Sequence, residues 1–179
     1  MTPIVSLGID PSATATGLIA LRSNGEKVAD LMLAQEIVPK KLTGMARVRY
    51  IATNVMSVVH LIKPDVIVVE GYSLNMKNAN SVVPLVEVGG VLRLMLHLDE
   101  LEWLDPRAPV LKEFITGKGN SAKNIVMMNV FKRWGYEAPT DNLADAYGLA
   151  CLGLAHRNRL PGITERMRII AGELKPTRN

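Results

Sequence analysis

The sequence is poor in cysteine and has no long uninterrupted hydrophobic run. Cys151 is the only cysteine among 179 residues, so no intramolecular disulfide can form and no cysteine cluster can bind zinc. The longest apolar run, residues 143–155, is interrupted by Asp145 and is too short to span a bilayer. The N-terminus carries no basic leader. We therefore expect a soluble, cytoplasmic protein with no membrane partner.

Charge is distributed unevenly along a chain that is otherwise an ordinary globular mix. Residues 107–136 hold six Lys or Arg against one acid, and the segment from residue 157 onward holds six against two. A polyanion such as a nucleic acid suits this distribution, although a solvated basic surface would look the same. We expect one folded domain over residues 1–160 and a basic C-terminal tail over residues 161–179.

The hydrophobic pattern alternates between strands and helices. It predicts a mixed α/β sheet of five strands, the first three antiparallel and the rest parallel, flanked by helices. Asn24-Gly25 marks the hairpin between the second and third strands. The predicted strands are residues 4–10, 17–22, 28–35, 66–69 and 101–104. The predicted helices are residues 43–62, 82–98, 110–116, a helix that follows the 117–123 loop, contains residues 125–131 and is closed by residues 136–139, and a last helix over about 140–156.

Two predicted strands each end in an acid. Asp10 closes the first strand before Pro11, and Glu70 closes the β-branched strand 66–69, which reads as buried on both faces. Ligands of open α/β sheets bind at such strand ends. Taken alone, Asp10 could simply be the turn-forming residue of an Asp-Pro pair, and Glu70 could be a charge at a strand end that faces solvent.

The last predicted helix supplies two more acids. Asp141 and Asp145 lie one helical turn apart, and Asp145 stands among small and apolar residues, where a charge needs a partner or a metal. Asp141 could instead be the helix N-cap. With Asp10 and Glu70 they form an all-oxygen set that favours Mg²⁺, with Mn²⁺ substituting. Two such ions would support phosphodiester hydrolysis, and we therefore predict all four acids to be metal ligands and catalytic residues.

The helix at residues 82–98 is apolar on almost every side, more than one sheet face can cover. A homodimer seam would cover the rest, with Leu92 and Met95 expected to face outward; burial under a neighbouring helix is the alternative. Lys118 and Lys123 flank a glycine-bearing loop before a helix, which suits phosphate. The loop lacks the spacing of a P-loop.

These stretches, in this order, resemble the bacterial and phage RuvC-type Holliday junction resolvases of the RNase H-like fold, and look closest to phage-encoded members. The resemblance covers residues 4 to about 156. The matching stretches are Gly8-Ile9-Asp10-Pro11-Ser12 with Thr16-Gly17, Val68-Val69-Glu70, Met76-Lys77-Asn78-Ala79-Asn80-Ser81, Gly89-Gly90-Val91, Gly119-Asn120-Ser121-Ala122-Lys123, and Asp145-Ala146 with Leu149-Ala150.

The resemblance implies a metal-dependent endonuclease that cuts four-way DNA junctions, in the bacterial cytoplasm or that of a phage host. It assigns Asp10, Glu70 and Asp145 as metal ligands. Where the family carries an acid or His three residues before the last Asp, this sequence has Asn142, with Asp141 beside it. The residues expected on DNA are Tyr72, Lys77, Asn78, Lys112, Lys118 and Lys123, with Tyr72 at the family's base-stacking aromatic.

Three other readings share parts of this pattern. A sugar-kinase or actin-type ATPase also opens on a Gly-x-Asp turn but needs a second phosphate loop and a second domain. A non-catalytic DNA-binding module of the same fold should have lost at least one of Asp10, Glu70 and Asp145, and all three are present. A related nuclease could act on other branched DNA or on RNA–DNA hybrids.

Overall fold

The computed structural model describes residues 2–27, 29–72 and 79–177. Within these ranges the chain forms a four-stranded sheet with helices on both faces, and the predicted mixed α/β architecture is confirmed. The strands are β1 (Ile4–Asp10), β2 (Thr16–Ser23), β3 (Asp30–Ile37) and β4 (Val66–Val69). The helices are α1 (Gly44–Ile62), α2 (Ala79–Leu98), α3 (Ala108–Thr116), α4 (Lys123–Trp134), α5 (Asp141–His156) and α6 (Glu165–Glu173).

The sheet order is β3-β2-β1-β4, with β1 antiparallel to β2 and parallel to β4. The prediction of a fifth strand at residues 101–104 is wrong for the described chain. Only two isolated parallel bridges, Val68 with Leu104 and Gly71 with Arg107, continue the sheet there. Pro106 has no N–H to donate, and only Leu104 donates to and accepts from β4, so the pairing does not extend into a ladder.

Two hydrophobic cores lie on opposite faces of the sheet. α1 and α2 cover one face through Val55, Val88 and Leu92, and α3, α4, α5 and α6 cover the other. Because β4 has a helical layer on each side, all four of its residues are buried, as its β-branched sequence predicted. The segment predicted as a basic tail contains α6, which packs its Met167, Ile170 and Ala171 into the second core.

The position of α5 on the sheet depends on glycines. A Cβ placed on Gly8 of β1 would lie 2.1 Å from the Ala146 carbonyl oxygen and 2.5 Å from the Ala150 nitrogen, and one on Gly153 would lie 2.3 Å from Ser6 Oγ. The helix therefore lies almost directly on the backbone of β1, with its first turn beside the C-terminal end of that strand. This packing brings residues 141–145 next to Asp10.

We predict that Gly8→Ala lowers the free energy of unfolding by about 1–3 kcal/mol, because α5 must shift to admit the methyl group and helix backbone cannot yield as a flexible side chain would. Gly172→Ala is the matched control: a Cβ there meets nothing within 4 Å. That change should stabilise helix α6 slightly. Chemical denaturation of both variants measures the difference, and equal stabilities would show that α5 does not need Gly8.

Candidate active site

Three of the four acids predicted from the sequence, Asp10, Glu70 and Asp145, line one cleft at the C-terminal ends of β1 and β4. Asp10 and Glu70 end adjacent parallel strands, and the Glu70 amide donates to the Ile9 carbonyl at 3.0 Å. Asp145 reaches the same cleft from the first turns of α5. The cleft encloses about 510 Å³ and is lined by Asp10, Pro11, Ser12, Ala13, Thr14, Arg47, Glu70, Pro84, Leu85, Ala108, Lys112, Lys123, Asn142 and Asp145.

The carboxyl groups of this cleft strongly influence one another. Asp10 is 7% exposed, and burial, the charge of Glu70, a hydrogen bond to the Glu70 carboxyl and the charges of Asp145 and Asp141 all raise its pKa well above the usual value. Burial and the Glu70 charge raise the pKa of Asp145 to about 7, although Lys112 and Lys123 act against the rise. Such clustered acids disfavour their own charged forms unless a cation compensates.

The donor set fits a hard divalent cation. The cleft lining formed by the described residues contains no His or Cys, so the carboxylate and amide side chains that could ligate a metal there offer only oxygen. Within the described ranges, no three acidic, His or Cys side chains already surround a common point closely enough to hold an ion. Asp10, Glu70 and Asp145 are the acids of the cleft lining that could hold such an ion.

Asp141 has a different partner from the one predicted. Its carboxylate pairs with the Lys123 ammonium, and this hydrogen bond is the main reason that its pKa is lowered. The helix N-cap is Thr140, whose Oγ1 accepts from the Leu143 amide at 3.2 Å. Asp141 is therefore neither the cap nor part of the cleft lining, although its charge still raises the pKa of Asp10.

Asn142 lines the cleft at the position where the resemblance expects an acid. Its Nδ2 donates to Glu36 Oε1 at 3.1 Å, and Thr140 Oγ1 donates to the same oxygen at 2.7 Å. Because the amide nitrogen faces Glu36, the amide oxygen is left as the available acceptor. Glu36 lies on β3, far away in sequence, and no local pattern pointed to this contact.

The six residues expected on DNA separate into four groups. Lys112 and Lys123 line the cleft, whereas Lys118 is exposed and outside the lining. Lys77 and Asn78 lie outside the described residues. Tyr72 is half-buried, and the Arg93 guanidinium covers one face of its ring at 4.4 Å from the centroid.

Arg93 is a site residue that sequence reasoning missed. Its Nη2 donates to the Glu70 carbonyl and to Asp105 Oδ1, both at 2.8 Å, while its Nη1 donates to the Gly89 carbonyl at 3.1 Å. These bonds fix the backbone at Glu70 between β4 and α2. Asp105 thus supports the site from outside the cleft through its hydrogen bond from Arg93.

The acid cleft is not the largest cavity among the described residues. A cavity of about 570 Å³ lies further along α5, between Tyr147, Cys151, Trp134 and the 160–163 segment. It has a mainly apolar lining with a single acid, Glu26. The carboxylates and the lysines meet in the smaller cleft, which makes that cleft the candidate active site.

Comparison with known proteins now identifies the family. The sequence model of the family described as "Crossover junction endodeoxyribonuclease RuvC" matches residues 6–153. The chain belongs to this family. A RuvC of Brachyspira hyodysenteriae is 28% identical over 88% of this chain and 97% of its own length, and one of Vibrio atlanticus is 29% identical over 86% and 87%. These relatives are bacterial, and the expected closeness to phage-encoded members gains no support from them.

Solved structures show the RNase H-like fold of RuvC. The structure described as Thermus thermophilus RuvC in complex with Holliday junction substrate aligns with a TM-score of 0.76 at 22% identity, covering 97% of this chain and 99% of the other. A yeast mitochondrial Holliday junction resolvase aligns with a TM-score of 0.57 at 12% identity over 81% and 76%. In the part of the chain that is described, no helix could span a membrane.

The raised pKa of Asp145 predicts a pH dependence of stability. An acid with a higher pKa in the folded than in the unfolded chain binds more protons when folded, so stability should decrease as pH rises from about 4 to about 7. In buffer free of divalent cations, Asp145→Asn should remove part of this decrease and be more stable than wild type at pH 8 by about 1–3 kcal/mol. Chemical denaturation of both proteins at pH 5 and pH 8 measures the difference in stability. If the stabilities of wild type and Asp145→Asn changed equally with pH, the raised pKa of Asp145 would be contradicted.

Proposed function

We propose that this protein resolves four-way DNA junctions by metal-dependent phosphodiester hydrolysis, introducing paired nicks. The observation that carries the proposal is the convergence of Asp10, Glu70 and Asp145 in one cleft whose rim bears Lys112 and Lys123. Membership of the RuvC family supplies the reaction class, and the solved junction complex of a family relative supports the substrate. The proposed location is the cytoplasm.

We infer that Asp10, Glu70 and Asp145 hold Mg²⁺, with Mn²⁺ able to substitute and two ions at each site. The metal supplies Lewis-acid activation of water and compensates charge on the leaving 3′ oxygen. Asp10 is the most constrained ligand because it is buried at a strand end. Asn142 offers a neutral oxygen, held in place by Glu36, in place of a fourth acid. While Asp141 is paired with Lys123, its role is to hold that lysine at the cleft. Asp141 could bind the metal only if this ion pair opened.

The basic residues bind the phosphate backbone. Lys112 and Lys123 stand on the rim, where they lower the pKa of Asp145, and would draw a polyanion towards acids that repel it. Lys77, Asn78, Lys118 and Tyr72 are proposed to extend this surface. Tyr72 can stack on a base only with the ring face that Arg93 leaves open.

Asp10→Asn, Glu70→Gln and Asp145→Asn should each abolish junction cleavage and leave junction binding unchanged or tighter. The reason is that the acids serve metal chemistry, whereas the lysines provide affinity. Asp30→Asn, at an exposed acid at the far end of β3, is the matched control and should cut normally. Gel assays with four-way junctions, forks, duplex and RNA–DNA hybrid, each with and without Mg²⁺, measure both properties.

Each outcome of these assays has a distinct meaning. Cleavage retained by one of the three variants would remove that residue from the site. Preferential cutting of forks or hybrids by the wild type would favour the other nuclease readings. Tight binding without cleavage by the wild type in Mg²⁺ or Mn²⁺ would favour the non-catalytic module.

We also propose that the protein is a homodimer with α2 in its seam, because symmetric nicks in a junction call for two sites related by a two-fold axis. The expectation for Leu92 was wrong: it is fully buried against α1, and Met95 is only partly buried. The exposed stripe instead repeats every three or four residues along one side of the helix. Its members are Val83, Val86, Gly90, Leu94 and Leu98.

Leu94→Lys should therefore dissociate the dimer, because the two copies would place unpaired charges in an apolar seam. Leu31→Lys, an equally conspicuous exposed leucine on β3, is the control and should not affect assembly. Light scattering at micromolar concentration measures the mass, expected at twice the 19.6 kDa of one chain for wild type and control. A wild-type mass of one chain would overturn the dimer.

A further inference from the structure

The lining of the acid cleft includes an arginine, Arg47, in addition to Lys112 and Lys123. Arg47 lies in the first turns of α1 and lines the cleft together with Asp10 and Glu70. Its Nε is buried and makes no hydrogen bond, and among the described residues its guanidinium has no acidic partner. A buried guanidinium nitrogen without an acceptor is costly.

Three other arginines of the described chain donate to protein acceptors, although the Nε of Arg93 is also buried without one. Arg93 donates to Glu70 and Asp105, Arg133 donates through Nε to the Ile115 carbonyl at 2.7 Å, and Arg166 pairs with Glu113 at 2.6 Å. Arg47 differs from them in lining the acid cleft while, among the described residues, none of its side-chain nitrogens bonds to an acid there. Its donors therefore remain available to an acceptor that enters the cleft.

The direction from which Arg47 enters the cleft is also distinctive. α1 covers the sheet face opposite to α5, and Arg47 reaches the acids from that side. Lys112 of α3 and Lys123 of α4 reach them from the other side. The acids at the strand ends thus lie between cations contributed by both helical layers.

We propose that Arg47 binds a phosphate of the DNA backbone adjacent to the scissile one, on the side of the cleft opposite to Lys112 and Lys123. A guanidinium presents paired donors that match phosphate oxygens, which a lysine cannot do. A strand held at two phosphates on opposite sides of the acids has its scissile phosphate fixed between them. This inference rests on the proposed function, because it requires a DNA strand in the cleft.

The test is a scan of single neutral methylphosphonates around the cleavage site of a labelled four-way junction. Binding is measured by anisotropy with Asp145→Asn protein, which does not cut, and with the same protein carrying Arg47→Ala. Arg47→Ala should weaken binding about tenfold and reduce the salt slope by about 0.7–0.9. At one position flanking the cleavage site, the methylphosphonate should weaken junction binding by the protein that contains Arg47. The same methylphosphonate should not change binding by the Arg47→Ala protein.

Arg49→Ala is the matched control, since Arg49 is exposed on the same helix and does not line the cleft. It removes the same charge and should change neither the affinity by more than about twofold nor the position-specific effect. The proposal would be overturned if Arg47→Ala and Arg49→Ala lowered the junction affinity equally. It would also be overturned if the methylphosphonate at every position changed the affinity by the same factor with and without Arg47. Arg47→Lys should recover the salt slope but only part of the affinity.

Two further outcomes separate this inference from the function on which it rests. If the protein that contains Arg47 binds no junction, both the proposed function and the proposed role of Arg47 are overturned. Binding with no phosphate position coupled to Arg47 would overturn Arg47 alone. If Arg47→Ala lowers the melting temperature, the same scan is made with Arg47→Lys instead. A loss of affinity at one phosphate that occurs with Arg47 and not with lysine would require a contact between Arg47 and that phosphate.

Discussion

The close contact between α5 and β1 is the constraint on which the rest of the site depends. Gly8 leaves the strand without a side chain where the helix backbone crosses it, and Gly153 does the same for the helix near Ser6. Any larger residue at either point would move α5 away from the sheet. Asp145 belongs to that helix and Asp10 to that strand, so the distance between their carboxyl groups is set by backbone packing rather than by flexible side chains.

This packing creates an electrostatic problem that the surrounding residues only partly relieve. Asp10 is buried beside Glu70 and Asp145, and burial together with the charge of Glu70 raises the pKa of both Asp10 and Asp145. The neighbouring polar residues are satisfied separately: Asp141 by Lys123, Asn142 and Thr140 by Glu36. The unrelieved negative charge is therefore confined to the three acids that we propose as metal ligands.

The sequence revealed those parts of the site that depend on local pattern. Asp10 and Glu70 follow apolar strands, and Asp145 interrupts an apolar helix, so each is visible within a few residues. The contacts of Glu36, Arg47 and Arg93 were not visible, because each joins elements distant in the chain. Leu92 was misplaced because a helix that is apolar all round has no periodicity to show which side packs on α1.

The edge of the sheet was misjudged for a related reason. Residues 101–104 have the composition of a strand, but pairing with β4 is limited to isolated bridges on either side of Pro106. The Asp105 carboxylate, just beyond that segment, accepts a hydrogen bond from Arg93 of α2, a contact that no local pattern indicates. In both cases the outcome was decided by what lies across from the segment, which a single sequence does not contain.

Helix α2 connects the proposed metal site with the proposed dimer seam. Arg93 extends from α2 to the Glu70 carbonyl and to Asp105, while the next residue, Leu94, belongs to the exposed stripe of the proposed seam. A displacement of α2 at the seam would therefore act on the backbone that carries Glu70. The same rigid helix can relate two active sites across a two-fold axis and hold one ligand of each, so assembly and site geometry depend on a single element.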